Sequence, residues 1–256
     1  MRHVPRKRFG QNFLTDESVI SAIVGAIAPQ QHDLMAEIGP GLGAITRPLA
    51  RRLDRLHVIE IDRDIISRLR AEFPAERVAV HEGDALEFDF SALGARLRVV
   101  GNLPYNISTP LLFHLARHAD AIVDIHVMLQ KEVVERMVAA PSATEYGRLS
   151  VMLQYRFEME RILEVPAAAF NPAPKVESAV VRLTPFPRLP HPARDEATLG
   201  KIVAAAFSQR RKTLRNALKG YFRAEDFERM GVDAGLRAQD LGVKDFVRLA
   251  DEILKQ

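Results

Sequence analysis

Between residues 34 and 183 the chain alternates short runs of Val, Ile and Leu with longer stretches whose apolar positions recur at helical spacing. The short runs predict seven strands, at 34–38, 56–61, 78–81, 97–101, 124–129, 149–157 and 178–183, with helices such as 65–72 and 110–117 between them. Regular strand–helix alternation implies a mostly parallel sheet covered on both faces. The last connection is different. Residues 165–175 lack a helical period and carry Pro166, Pro172 and Pro174, so the final two strands are expected as an antiparallel pair closing the sheet. That ending separates the fold from a dinucleotide-binding Rossmann domain.

Pro185-Phe186-Pro187-Arg188-Leu189-Pro190-His191-Pro192 can continue neither a strand nor a helix and reads as a linker. Beyond it, residues 199–218 keep a helical period, and Gly220, Gly231, Gly235 and Gly242 punctuate shorter helices. The expected organisation is an α/β domain over 1–184 and a small all-helical domain over 185–256.

With 47% hydrophobic and 27% charged residues over 256 positions and no repeat, the composition argues against disorder and solenoids. The chain has no cysteine, which excludes disulfides, thiolate metal sites and a cysteine nucleophile and fits a reducing compartment. No apolar run reaches signal-peptide or spanning length, so no membrane role and a cytoplasmic location are expected. His114 and His118 stand four apart, but no glutamate of the zinc-protease pattern lies between them, and no metal is expected. The net charge of +3 hides two basic clusters, Arg2, Arg6, Lys7 and Arg8 near the start and Arg210, Arg211, Lys212, Arg215 and Lys219 near the end. Both could meet nucleic-acid phosphates, although the same composition fits a solvated arm and a solvated helix face.

The candidate chemistry follows the strands. After the first comes Glu37-Ile38-Gly39-Pro40-Gly41-Leu42-Gly43, a tight turn in which Gly39, Gly41 and Gly43 remove Cβ atoms, with a helix from about Ala44 pointing its N-terminus into the same crevice. The spacing departs from the dinucleotide pattern Gly-x-Gly-x-x-Gly. Glu60, about twenty residues on, is placed to accept from both hydroxyls of a ribose, and Asp84 in Glu82-Gly83-Asp84-Ala85 to accept from an adenine amino group. Asp62 or Asp64 suits the alternative role of helix cap.

Asn102-Leu103-Pro104-Tyr105 follows the fourth strand. An exocyclic adenine amine is a poor nucleophile because its lone pair is delocalised into the ring. Hydrogen-bond acceptors on its N–H groups stabilise the pyramidal nitrogen as charge develops. The Asn102 side-chain oxygen and the Leu103 carbonyl suit that task, Pro104 shapes the backbone, and Tyr105 offers a ring on which an extruded base can stack. No general base with a shifted pKa is required.

These motifs resemble those of the ribosomal RNA adenine N6-dimethyltransferases, and most closely the bacterial small-subunit (16S) branch. The matching stretches include Phe9-Gly10-Gln11-Asn12-Phe13-Leu14, the 37–43 turn, Glu60-Ile61-Asp62, Gly83-Asp84-Ala85 and 102–110. Further matches are Tyr146-Gly147-Arg148-Leu149-Ser150, Phe170-Asn171-Pro172-Ala173-Pro174-Lys175 and Arg210-Arg211-Lys212, so the likeness covers nearly the whole chain. The resemblance implies a Rossmann-like class I methyltransferase domain that uses S-adenosyl-L-methionine, contacted by Asn12, Leu14, Gly39, Glu60, Asp84 and Asn102 with Gln11 and Gly41 nearby. It implies that two adjacent adenosines in the 3′-terminal hairpin of 16S rRNA each receive two methyl groups within an immature small ribosomal subunit. It makes Phe170 a second aromatic closing the pocket opposite Tyr105, although a large apolar residue there also suits a core plug. RNA contacts from Arg6, Lys7, Arg8, Arg210, Arg211, Lys212 and Arg215, and a monomeric state, complete the expectation. Two other readings remain open: a large-subunit dimethyltransferase sharing the catalytic motifs, and a scaffold that binds RNA without catalysis.

Overall fold

The computed structural model describes residues 12–255. The chain forms two compact units, one comprising Met1–Val134 with Met159–Pro185 and the other Glu135–Glu158 with Phe186–Gln256. In chain order the elements begin with β1 (Phe13–Leu14), α1 (Glu17–Ile27), β2 (Met35–Ile38), α2 (Thr46–Ala50), β3 (Leu56–Glu60), α3 (Arg63–Glu72) and β4 (Val78–Glu82). There follow β5 (Leu97–Asn102), α4 (Ser108–Arg117), β6 (Ile122–Gln130), α5 (Lys131–Val138), α6 (Arg148–Gln154), β7 (Phe157–Val165), β8 (Phe170–Asn171) and β9 (Ser178–Pro185). The last are α7 (Glu196–Phe207), α8 (Leu214–Ala217), α9 (Ala224–Met230) and α10 (Val243–Ile253).

The first unit is built on a seven-stranded sheet in the order β4-β3-β2-β5-β6-β9-β7. Its members from β4 to β6 pair in parallel, and β9 runs antiparallel to β6. The two strands joined by the proline-rich connection, β7 and β9, are neighbours at the end of the sheet. β2 is buried along its whole length and β3 along all but one residue, which explains why both read as nearly unbroken apolar runs. Side-chain caps start two of the flanking helices, α1 and α3. Asp16 Oδ1 accepts from the Ser18 and Val19 N–H groups at the head of α1, and Asp62 accepts from Asp64 N–H at the head of α3, the capping role the sequence allowed. At the end of the sheet away from the glycine turn, Arg98 on β5 ties Asp33 at 2.6 Å, Asp124 on β6 at 2.7 Å and the Ile27 carbonyl at 2.7 Å.

Three sequence expectations are corrected. Residues 149–157 are not a strand: α6 occupies Arg148–Gln154, and the strand starts at Phe157 and extends to Val165. A short alternating apolar run fits either period. The helix prevails because Val151 and Tyr155 enter the core of the second unit, while Gln154 Nε2 donates to the Met137 and Ala139 carbonyls. β7 itself escapes an apolar scan because it is an edge strand carrying Glu158, Glu160, Arg161 and Glu164, the charged composition that protects a sheet edge from further pairing.

The second unit packs α6 to α10 around Tyr155, Ile202, Leu214, Leu218, Phe227 and Phe246. It takes in Glu135–Glu158 as well as the chain from Phe186 on, so it is larger than the 185–256 expected from the linker alone. The helix expected over 199–218 is also interrupted. α7 ends at Phe207, a turn follows, and α8 begins at Leu214.

Candidate active site

The strand order reverses between β2 and β5, and open α/β sheets bind ligands in the crevice at such a switch. Here the two strands are in parallel register with Ile38 opposite Gly101, so the turn after β2 and the segment after β5 emerge side by side. A Cβ built on Gly39 would lie 3.7 Å from the Asn102 carbonyl oxygen, and the φ of +64° at Gly39 is one that glycine adopts without strain. Gly101, which carries no motif signature, is the more constrained residue: a Cβ there would stand 2.5 Å from the Ile38 carbonyl oxygen. The strand pair carrying both halves of the site can come together at this point only around glycine.

The crevice opens into a cavity of about 260 Å³ lined by Asn12, Leu14, Gly39, Gly41, Glu60, Asp84 and the whole of Asn102-Leu103-Pro104-Tyr105. Residues far apart in sequence and singled out by chemistry thus share one wall. Glu60 ends β3, is 8% exposed, and holds its Oε1 against the Ile61 and Asp62 N–H groups at 2.8 and 2.9 Å. Burial raises its pKa, while these backbone donors and that of Gly41 pull it back. With Oε1 fixed, the carboxylate presents its other oxygen in a set orientation. Asp84 accepts from the Leu86 N–H at 2.9 Å, which holds its side chain against the turn after β4.

Glu37 has no role in the sequence reading beyond its place in the turn, yet it lines the cavity at 2% exposure. Burial pushes its pKa up to about 7; the nearby Thr46 hydroxyl opposes the shift and the neighbouring Glu60 charge adds to it. Neither Glu37 Oε2 nor Thr46 Oγ1 reaches a hydrogen-bond partner among the described residues. A buried carboxyl oxygen left so is costly and suits a cavity that receives a polar or cationic ligand.

At Asn102 the amide orientation is fixed by its partner. The side chain lies 3.2 Å from the Asn12 carbonyl, which only accepts, so the nitrogen must face Asn12 and Oδ1 is left as an acceptor. The Leu103 N–H donates to the Met128 carbonyl on β6 at 3.1 Å, and Pro104 keeps Leu103 extended. The next two carbonyls are occupied, that of Pro104 by Ile107 N–H and that of Tyr105 by the Ser108 hydroxyl. Among the described residues no donor takes Asn102 Oδ1 or the Leu103 carbonyl, the two acceptors the chemistry calls for. The Tyr105 hydroxyl lies 2.7 Å from Ser178 Oγ, which anchors the half-buried ring, and burial raises its pKa.

Some expected residues lie elsewhere. Phe170 is 4% exposed and packs in the apolar core rather than lining the cavity, because its strand β8 pairs with β1 and sets Phe170 opposite Leu14. Gly43 does not line the cavity; a Cβ on it would meet the Arg47 guanidinium at 3.4 Å. Arg210, Arg211 and Lys212 stand exposed on the turn between α7 and α8, with Arg210 donating to the Thr144 carbonyl, and only Arg215 is on a helix. Leu214 and Leu218 are fully buried. Arg6, Lys7, Arg8 and Gln11 lie outside the described residues. His114 and His118 bond the Phe88 carbonyl and the Ser91 hydroxyl, and no cluster of three potential metal ligands occurs among the described residues. No helix among them is long and apolar enough to cross a membrane.

The sequence model of the family described as ribosomal RNA adenine dimethylase matches residues 2–255. The chain belongs to this family. It is 63% identical to "Ribosomal RNA small subunit methyltransferase A" of Chromobacterium violaceum over 98% of this chain and 97% of that protein. It is 60% identical to the protein of the same name from Methylobacillus flagellatus over 98% of each. Among solved structures, a dimethyladenosine transferase from Plasmodium falciparum superposes with a TM-score of 0.78 at 26% identity, covering 93% of this chain and 95% of that one. The 23S rRNA methyltransferase ErmE superposes with a TM-score of 0.72 at 26% identity, covering 96% and 100%. Both share the class I methyltransferase architecture, and the chain is an adenine dimethyltransferase by family.

Proposed function

We propose that the protein transfers methyl groups from S-adenosyl-L-methionine to the exocyclic nitrogens of two adjacent adenosines in the 3′-terminal hairpin of 16S rRNA, within an immature small ribosomal subunit, acting as a monomer in the cytoplasm. The observation that carries this reading is the pair of acceptors that no donor takes among the described residues, Asn102 Oδ1 and the Leu103 carbonyl, on residues lining the cavity that also holds Glu60 and Asp84. Relatives named for the small ribosomal subunit are about 60% identical, whereas the 23S rRNA enzyme reaches 26%, which favours the small-subunit substrate.

The cavity residues suit the cofactor. The Glu60 carboxylate is preset for a ribose diol, Asp84 for an adenine amino group, and the unpaired Glu37 oxygen for the polar, cationic end of an amino acid. Bound there, the cofactor supplies an electrophilic methyl carbon next to a good thioether leaving group. Asn102 Oδ1 and the Leu103 carbonyl accept the two N–H groups of the adenine amine, turn its lone pair out of the ring plane and stabilise the charge gained as the N–C bond forms. Tyr105 holds the base by stacking, its ring steadied through Ser178. After transfer the nitrogen sheds one proton to solvent and keeps one N–H. Rotation about the exocyclic bond then presents the nitrogen for a second transfer.

Comparing 16S rRNA by mass spectrometry from cells with and without the gene tests the assignment. Two N6,N6-dimethyladenosines in the 3′-terminal hairpin should be lost on deletion and restored by the intact gene but not by Asn102→Ala. Retention of both on deletion would reassign the substrate.

A further inference from the structure

A second concavity, of about 590 Å³, lies between α1, α2 and α3 of the first unit. Arg47, Arg51, Arg52 and Arg68 line it, and Glu17 is the one acid among its lining residues. Two of the arginines are committed: Arg47 binds Glu72 and the Leu42 carbonyl, and Arg68 approaches Glu72 at 4.0 Å. Arg51 and Arg52 are exposed, and among the described residues no carboxylate lies within ion-pair distance of either. Arg52 donates to the Pro48 carbonyl at 3.1 Å, which steadies its guanidinium while leaving most of its N–H groups to a ligand.

The groove adjoins the active cavity. Phe13, Leu14, Leu42 and Ala44 line both, so one thin wall separates them. That wall begins at Asn12, whose carbonyl holds the Asn102 amide at 3.2 Å. We propose that this arginine groove binds the phosphodiester backbone of the rRNA strand flanking the target adenosines, through arginines other than those of the basic clusters at residues 2–8 and 210–219. The inference rests on the rRNA methylation reading above.

Charge selects the occupant. The chain before Asp16 carries Arg2, Arg6, Lys7 and Arg8 and no acid, so it supplies no counter-charge to the arginines. A single RNA strand complements it: phosphates meet the guanidinium fence bidentately, and riboses rest on the aliphatic arginine stems and Pro48. An extruded adenine in the cavity also requires its neighbouring nucleotides to be held apart, and an anchored backbone across the wall does so.

Three variants test the proposal on the full-length chain with unmethylated small subunits. In Arg51→Ala/Arg52→Ala the KM for subunits should rise about tenfold at moderate salt. The slope of log affinity against log salt should flatten by about 1.4, at about 0.7 for each single-strand phosphate that the variant no longer neutralises. The affinity for S-adenosylmethionine measured without RNA and the melting temperature should match wild type. Lys replacement at both positions should restore part of the slope. Because the chain has no cysteine, Arg52→Cys provides a unique attachment point for an iron chelate. Its hydroxyl radicals should cut 16S rRNA next to the methylated hairpin. Wild-type KM and slope in the double variant, or cleavage falling only on a ribosomal protein, would overturn the groove assignment. Absence of methyl transfer by the wild-type protein would instead remove the reading on which it rests.

Discussion

Replacing Glu37 by Gln removes a buried ionisable group with little change of shape, and its effect can be worked from the structure. The carboxyl is 2% exposed and its pKa is raised from 4.5 to about 7, chiefly by burial. In the unfolded chain it ionises near 4.5, whereas in the folded protein it stays protonated until about 7. Its contribution to stability is therefore fully present below pH 4.5 and is lost as the pH rises through 7. The displacement from 4.5 to about 7 corresponds to about 3 kcal/mol. Urea denaturation of the ligand-free protein between about pH 5 and pH 8 should show wild type losing most of that amount relative to Glu37→Gln. A cationic ligand in the cavity favours the carboxylate, so saturating S-adenosylmethionine should shrink the difference. Parallel stability curves for the two proteins would refute the assignment of Glu37 as a buried carboxyl that titrates near neutrality.

Three further substitutions probe the site. Asn102→Ala should lower single-turnover methylation by about 10²–10³-fold while leaving subunit binding nearly intact, as removal of one preorganised polar group does; near-normal turnover would remove Asn102 from catalysis. Glu60→Ala should weaken S-adenosylmethionine by about 2 kcal/mol in calorimetry, the scale of a hydrogen bond to a charged group, and unchanged affinity in a folded variant would contradict the ribose assignment. Gly101→Ala places a methyl group 2.5 Å from the Ile38 carbonyl and should cost about 3 kcal/mol or more in thermal or urea unfolding. A wild-type midpoint would show that β2 and β5 can part without penalty.

The parallel strands and their carboxyl-end motifs were legible in the sequence because buried parallel strands leave nearly unbroken apolar runs and because Gly39, Glu60, Asp84 and Asn102 each lie at or just past the end of one. Strand order supplies what periodicity could not. Only the parallel register of β2 with β5 shows that the glycine turn and Asn102 are neighbours, and that Gly101 must be glycine. β7 escaped because a charged edge strand has no apolar signature, and α6 because its alternating short run satisfies both periods until the second core claims Val151 and Tyr155. The pairing of Phe170 with Leu14 depends on two two-residue strands more than 150 positions apart, which no local pattern encodes. The basic cluster at 210–212 was placed on a continuous helix by its apolar spacing, but the chain turns after Phe207.

Methyl transfer by the purified full-length chain from isotopically labelled S-adenosylmethionine to unmethylated small subunits tests the central claim most directly, with the modified nucleosides mapped by mass spectrometry. The label should appear as N6,N6-dimethyladenosine at two adjacent positions of the 3′-terminal hairpin of 16S rRNA, four methyl groups per subunit, and should be nearly absent with Asn102→Ala. Label on another atom, on another RNA, or undiminished in the Asn102 variant would contradict the account.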